Sequence, residues 1–199
     1  MPSVSVVILA GGQSRRLGQD KSLLLIDGQP LLARIVDTMR TLSDDLVVVT
    51  NDPERYAPYA LPVRMVPDVR PGVGALMGLY SGLRAVRGEY GLVVGCDMPF
   101  LSLPLLRHLV SLAPGADVVI PRMDGKVEPL HAVYSQDCLP PMSRSLEQGH
   151  RQIISFFDEV RVRYVEKPEI DRFDPEHLSF LNVNTSQDWE RVQERLTRS

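Results

Sequence analysis

The chain has 199 residues, 44% of them hydrophobic and 24% charged, with a formal net charge of −3. That length suits one domain with a substantial core, and the mild acidity excludes the broad basic surface of a nucleic-acid binder. Two cysteines, Cys96 and Cys138, are too few for a disulfide framework, and no Cys/His cluster points to zinc.

In chain order, residues 4–10 form an apolar run broken only by Ser5, a short buried strand. The strand passes into Gly11-Gly12 and then into a polar loop with Ser14, Arg15, Arg16, Gly18, Asp20 and Lys21. Residues 22–26 are a short apolar run closed by an Asp27-Gly28 turn signal. Pro30 suits the first helical position, and Leu31, Leu32, Ile35, Val36 and Met39 follow at helical spacing. Strands are predicted at 45–50, 63–67, 90–95 and 116–121, and helices at 53–59, 74–86 and 103–112, the last opened by Ser102 as N-cap. Beyond 121 the alternation changes. Met123-Asp124-Gly125 is a turn, 126–135 should pair antiparallel, 139–146 and 152–157 read as helical, and 161–167 as extended. Residues 180–184 read as a last strand, and Thr185 with Asp188 forms a capping box for a closing helix, on which Trp189 packs inward.

This alternation predicts an α/β fold, a Rossmann-like three-layer α/β/α arrangement with a mostly parallel sheet and an antiparallel C-terminal part. It reads as a single domain over 1–199, with the regular alternation at about 1–121 and the changed pattern at about 122–199. No apolar stretch approaches the ~20 residues that span a bilayer, and the N-terminus has no signal-peptide pattern, so the expectation is a cytoplasmic protein that engages neither membrane nor nucleic acid.

In such folds ligands sit at the carboxyl ends of the strands. The polar groups of this chain gather there: 11–21 after the first strand, Thr50 and Asn51 after the second, Asp68 after the third and Asp97 after the fourth. The glycine pair lets backbone N–H groups approach a ligand closely, and Arg15 and Lys21 bring charge suited to a polyphosphate. The loop is neither a P-loop nor a G-x-G-x-x-G fingerprint. Asp97 ends a buried strand in V-V-G-C-D-M-P-F, where one carboxylate suffices for Mg²⁺ if a triphosphate supplies the other oxygens. Asp68 offers a carboxylate to paired N–H donors of a ligand, and among bases a carboxylate could accept from guanine N1–H and N2–H₂ in a geometry that cytosine and adenine do not match. No Ser-His-Asp or Cys-His pair is evident, which favours direct in-line attack over a covalent intermediate.

The pattern L-A-G-G-x-S-x-R-x-G-x-D-K, from Leu9 through Ala10, Gly11 and Gly12 to Lys21, resembles the signature of nucleotidyltransferases. Its Leu-Ala-Gly-Gly form resembles the molybdenum cofactor guanylyltransferases, a MobA-like nucleotidyltransferase family. The resemblance implies GTP and Mg²⁺ at Leu9, Ala10, Gly11, Gly12, Lys21, Thr50, Asn51, Asp68 and Asp97, with Arg15, Lys21 and Asp97 catalytic and Asp97 holding the metal. It implies molybdopterin as acceptor, held by His131 in P-L-H-A-V-Y and by Asn182 and Asn184 in F-L-N-V-N-T. Cofactor-delivery proteins or molybdoenzyme chaperones would be its protein partners. The family's asparagine after the second strand falls on Thr50, with Asn51 beside it, and its G-P-L-A-G-like stretch reads here Gly-Val-Gly-Ala-Leu-Met-Gly. Three alternatives remain open: a CTP-dependent relative, which typically reads Leu-Ala-Ala-Gly; a sugar-phosphate nucleotidyltransferase; and a non-catalytic nucleotide-sensing module, which would not need Asp97 with Lys21.

Overall fold

A computed structural model describes residues 2–11 and 20–197. The strands are β1 (Val4–Leu9), β2 (Leu25–Ile26), β3 (Gln29–Pro30), β4 (Leu46–Val49), β5 (Arg64–Val66), β6 (Tyr90–Gly95), β7 (Val118–Met123), β8 (Lys126–Val127), β9 (His131–Ser135) and β10 (Val162–Glu166). The helices are α1 (Leu31–Met39), α2 (Ala75–Ala85), α3 (Leu103–Ser111), α4 (Leu139–Glu147), α5 (Lys167–Ile170) and α6 (Ser186–Leu196). Eight strands make one sheet in the order β10-β7-β9-β6-β1-β4-β5, with β8 on the end of β7, and β2 and β3 form a separate hairpin.

The parallel pairings are β1 with β4 and β6, β4 with β5, and β7 with β10. β9 runs antiparallel between β6 and β7. The antiparallel part is thus an insertion, and β10 returns the edge to parallel.

Both faces of the sheet are buried, which is why the strands read as apolar runs rather than as alternations. Val6, Ile8, Val48, Leu92 and Val94 face α1 and α3 with Val192 of α6. Val7, Val47, Val49 and Val93 face α2, α4 and a 3-10 segment, Ile153–Glu159, that supplies Phe156. Each such fully buried aliphatic side chain contributes about 1.5–3 kcal/mol. On the second face α2 lies tight on the sheet. A Cβ on Gly82 would stand 2.4 Å from Val7 Cγ1.

The caps follow the sequence. Ser102 accepts from the N–H of Leu105, and Thr185 and Asp188 close a full capping box on α6. Asp27 and Gly28, both at positive φ, turn the β2–β3 hairpin. Three expectations are corrected. Pro30 is the N-cap of α1 rather than its first residue. Residues Pro53–Tyr59 and Ile153–Glu159 are helical as expected and wind as 3-10. The extended run at 126–135 is broken, because Pro129 has no N–H for a ladder and the N–H of His131 turns back to the carbonyl of Glu128. Residues 180–184 form no strand. A 3-10 turn, Leu178–Phe180, leads into irregular chain. The reason lies in the sheet: β6 already has β1 and β9 on its two edges, so Val183 N–H makes its bond to the carbonyl of Asp97, beyond the strand's end.

Candidate functional site

The chain runs from β1 to β4 and β5 on one side, then returns to β6 on the other. The carboxyl ends of β1 and β6 therefore lie side by side where the winding reverses, with Cys96 N–H bonded to Leu9 carbonyl at 3.1 Å. A crevice opens at such a point in a doubly wound sheet. Its lining includes Leu9, Ala10, Gly11, Asp20, Lys21, Asp68, Gly78, Asp97 and Leu130. Gly12 and Arg15 lie outside the described residues.

At one end of the cleft, Lys21 Nζ stands 3.5 Å from Asp97 Oδ2 and donates to Asn184 Oδ1 at 2.5 Å. Three distant segments meet there. Lys21 opens a 3-10 turn, Lys21–Leu23, whose N-cap is Asp20. Asp97 follows β6, and Asn184 precedes the cap of α6, its own N–H held by the Asp188 carboxylate. Burial pushes the Asp97 carboxyl above the usual carboxylate range, and the Lys21 ammonium opposes the shift. Gly95 makes room for this carboxylate, because a Cβ there would lie 2.7 Å from Asp97 Oδ1.

At the other end, Asn51 Nδ2 donates to Asp68 Oδ2 at 2.8 Å and Asn51 Oδ1 accepts from Asp68 N–H at 2.9 Å. That clamp leaves Asp68 Oδ1 buried with no hydrogen-bond partner among the described residues. A buried carboxylate oxygen without a donor is costly unless a ligand supplies one. Gly78 of α2 faces that oxygen, and a Cβ there would stand in ordinary contact with it at 3.6 Å. Thr50 is placed differently. It is buried, and its hydroxyl accepts the N–H of Asp52 at 3.1 Å. Of the two neighbours, Asn51 is thus the one beside Asp68.

His131 is fully buried, with its ring edge-on to Phe180 at 5.1 Å and both ring nitrogens unpartnered among the described residues. Leu130, one residue earlier, is the side chain just before β9 that lines the cleft. Burial lowers the His131 pKa to about 4, so the ring is neutral. Asn182 Oδ1 is buried and unpartnered among the described residues as well. Cys96 also lines the cleft, but burial pushes its thiol far above the ordinary range and removes it as a nucleophile.

Sequence reasoning missed the residues that hold the Lys21 turn. Asp20 Oδ1 accepts from the Ser22 N–H at 3.0 Å and from its hydroxyl at 2.6 Å, and Arg55 pairs with Asp20 Oδ2. The signal available was the Asp20-Lys21 dipeptide. Nothing in 53–59 marks Arg55.

The donor set suits a hard cation shared with a ligand. Among the described residues no group of three or more His, Cys, Asp or Glu side chains could hold a metal alone. Asp97, a single carboxylate at the mouth of a cleft, fits an ion whose other positions are filled by phosphate oxygens and water.

Fold and cleft together define an α/β protein with a polar cleft at the switch point of a largely parallel sheet. The family model described as the MobA-like NTP transferase domain matches residues 6–163. A molybdenum cofactor guanylyltransferase of Desulfosudis oleivorans is 34% identical over 97% of this chain and 96% of its own. A crystal structure of molybdopterin-guanine dinucleotide biosynthesis protein A from Archaeoglobus fulgidus superposes with a TM-score of 0.85 at 28% identity, covering 98% of this chain and 100% of that one. A 4-diphosphocytidyl-2C-methyl-D-erythritol synthase from Anaerococcus prevotii shares the fold alone, with a TM-score of 0.73 at 16% identity over 98% and 96% of the two chains. The chain belongs to the MobA-like NTP transferase family, and is an enzyme of the nucleotidyltransferase class.

Proposed function

We propose that the protein is a molybdenum cofactor guanylyltransferase, which transfers GMP from GTP to the terminal phosphate of molybdopterin. The observation that carries the reading is the pairing of two unlike ends in one cleft. A carboxylate oxygen of Asp68 lacks a donor among the described residues at one end, and the Lys21–Asp97–Asn184 cluster stands at the other. Its kinship with guanylyltransferases supports the same reading.

The base sits by Asp68. Asn51 occupies Oδ2, so Oδ1 is turned to accept from guanine N1–H or N2–H₂. The triphosphate runs past Gly11 towards Lys21. A phosphate oxygen of molybdopterin attacks the α-phosphorus in line, the bond to the bridging oxygen of the β-phosphate breaks, and pyrophosphate leaves. The Lys21 ammonium stabilises the charge that builds on the α- and β-oxygens, with Arg15 proposed as a second cation. Mg²⁺, held by Asp97, would neutralise part of the same charge. Asn184 keeps Lys21 aimed across the cleft, and Asn182 belongs to the acceptor side, while His131 is packed under Phe180 and takes no direct part. Residues 1–121 thus serve the nucleotide and 122–199 the acceptor, within one domain. Among the described residues no helix is long and apolar enough to cross a membrane. The proposed setting is the cytoplasm, with cofactor-delivery proteins or molybdoenzyme chaperones as partners.

The test is pyrophosphate release with Mg²⁺ and molybdopterin, with GTP, CTP and ATP in parallel. Release with GTP alone is expected. Release with CTP overturns the base assignment, and none with any triphosphate overturns the reaction.

A further inference from the structure

The guanidinium of Arg55 is split between two loops. Nη1 pairs with Asp20 Oδ2, and Nη2 stands 2.8 Å from Asp52 Oδ2. Asp20 precedes Lys21 and caps its turn. Asp52 follows Asn51 and is itself fixed at the end of β4, where its N–H donates to the Thr50 hydroxyl. A second link runs in parallel. The Ser22 hydroxyl lies 2.9 Å from the hydroxyl of Tyr56, whose ring is almost completely buried. Arg55 and Tyr56 are adjacent on the 3-10 segment Pro53–Tyr59, so one short segment grips the Lys21 turn from two sides.

We propose that Arg55 is a positioning residue that couples the base end of the cleft to the phosphate end. This rests on the proposed role of Lys21. The turn that carries Lys21 is only three residues long, so it has little stiffness of its own. Its fixed reference is the Asp20 carboxylate, which needs a counter-charge once the Ser22 donors are counted. Arg55 supplies that charge and binds it to the carboxyl end of β4, a strand buried along its whole length. A planar fork can hold two carboxylates at once, whereas a lysine ammonium is a point charge on a flexible stem. Asn51 therefore meets the nucleotide base on one side of a rigid bridge, and Lys21 meets the phosphates on the other.

The chain has three lysines, Lys21, Lys126 and Lys167. Reductive methylation with carbon-13 gives each side chain its own resonance and keeps its charge, and Lys21→Arg assigns the signal of interest. In Arg55→Ala the Lys21 resonance should shift or broaden while those of Lys126 and Lys167 stay in place. Arg55→Lys should not restore it. Pyrophosphate release by the unmethylated Arg55→Ala protein should fall about 10-fold in kcat with KM for GTP changed less than about 3-fold, the pattern of a misplaced reacting group in a protein that still binds its substrate. If Arg55→Ala lowers the unfolding midpoint too far for use, Asp52→Asn cuts one arm with little change of shape, and the Lys21 resonance should still move. An unmoved Lys21 resonance in the folded variants overturns the proposal, as does an unchanged kcat. A parent protein that releases no pyrophosphate overturns the functional reading instead, and the resonance then decides on Arg55 alone.

Discussion

The two ends of the same sheet use similar residues to opposite effect. At the amino ends of β1 and β4, Ser5, Asp45, Arg64 and the N–H groups of Arg87 and Gly88 form a closed network. The Ser5 hydroxyl donates to Asp45 at 2.6 Å and accepts from Gly88 N–H at 2.8 Å, while Arg64 donates to Asp45 and to the carbonyl of Ala85 at 2.7 Å each. Burial alone would raise the Asp45 pKa, but Ser5, Arg64 and Arg87 N–H outweigh it and hold the carboxyl below its usual range. At the carboxyl ends, Asp97 is shifted upward by burial, and Asp68 Oδ1 and Asn182 Oδ1 are buried with no partner among the described residues. One end has spent its polar groups on itself and stabilises the fold. The other withholds them, which costs stability and leaves donors and acceptors for a ligand.

Three changes would break or sharpen that contrast. The largest effect is expected at Asp97. Asp97→Asn should lower kcat about 1000-fold, as removal of a charge-organising group in an active site does. Its folded pKa is raised, so ionised Asp97 opposes folding at neutral pH, and the Asn variant should unfold no more easily than the parent. A lower unfolding midpoint would show that Asp97 is a structural group.

At the amino end the pattern reverses. Asp45→Ala should cost about 2–3 kcal/mol in denaturant unfolding, because it strands Arg64 and the Ser5 hydroxyl, and should leave kcat within about 2-fold. The lowered pKa of Asp45 means that its stabilisation is present above pH 3.8 and is lost as pH falls through the folded value. Impaired catalysis at unchanged stability would erase the contrast.

The smallest effect belongs to His131. Its ring takes a proton near pH 6.5 in the unfolded chain but only at about 4 when folded, since burial outweighs the pull of Asp174. The unfolded state thus binds more protons below pH 6.5, and stability falls with pH through that window. The parent should lose about 2 kcal/mol from this group between pH 7 and pH 5. His131→Leu should lose that much less in the same unfolding measurement. Equal slopes for the two proteins would mean that the ring finds a proton-sharing partner.

Much of this was legible in the sequence because the signals are local. The β6 run ends at Gly95 both in the pattern and in the fold, Ser102 and Thr185 cap where their spacing says, and Asp27-Gly28 turns where it should. The convergence of Lys21, Asp68 and Asp97 was legible from topology, since strand ends meet in this fold whatever the side chains. What was not legible depends on neighbours distant in sequence. Residues 180–184 alternate like a strand, yet both edges of β6 are already taken. His131 looks like a cleft residue until its side chain is found on the face covered by Phe180. Arg55 acquires meaning only through Asp20, 35 positions away.

The insertion of β9 between β6 and β7 also bears on how the chain is made. β5, β4, β1 and β6 are contiguous in the sheet, so residues up to Gly95 can assemble as they leave the ribosome. β7 then emerges with no strand to join, because its link to the earlier strands is β9, and β9 is synthesised later. The apolar stretch Val118 to Ile120 must wait through the β8 turn until His131–Ser135 arrives to bridge it to β6. A strand that ends fully buried therefore depends on a later strand for its place in the sheet, and a change that disorders His131–Ser135 would leave Val118–Ile120 without its link to β6.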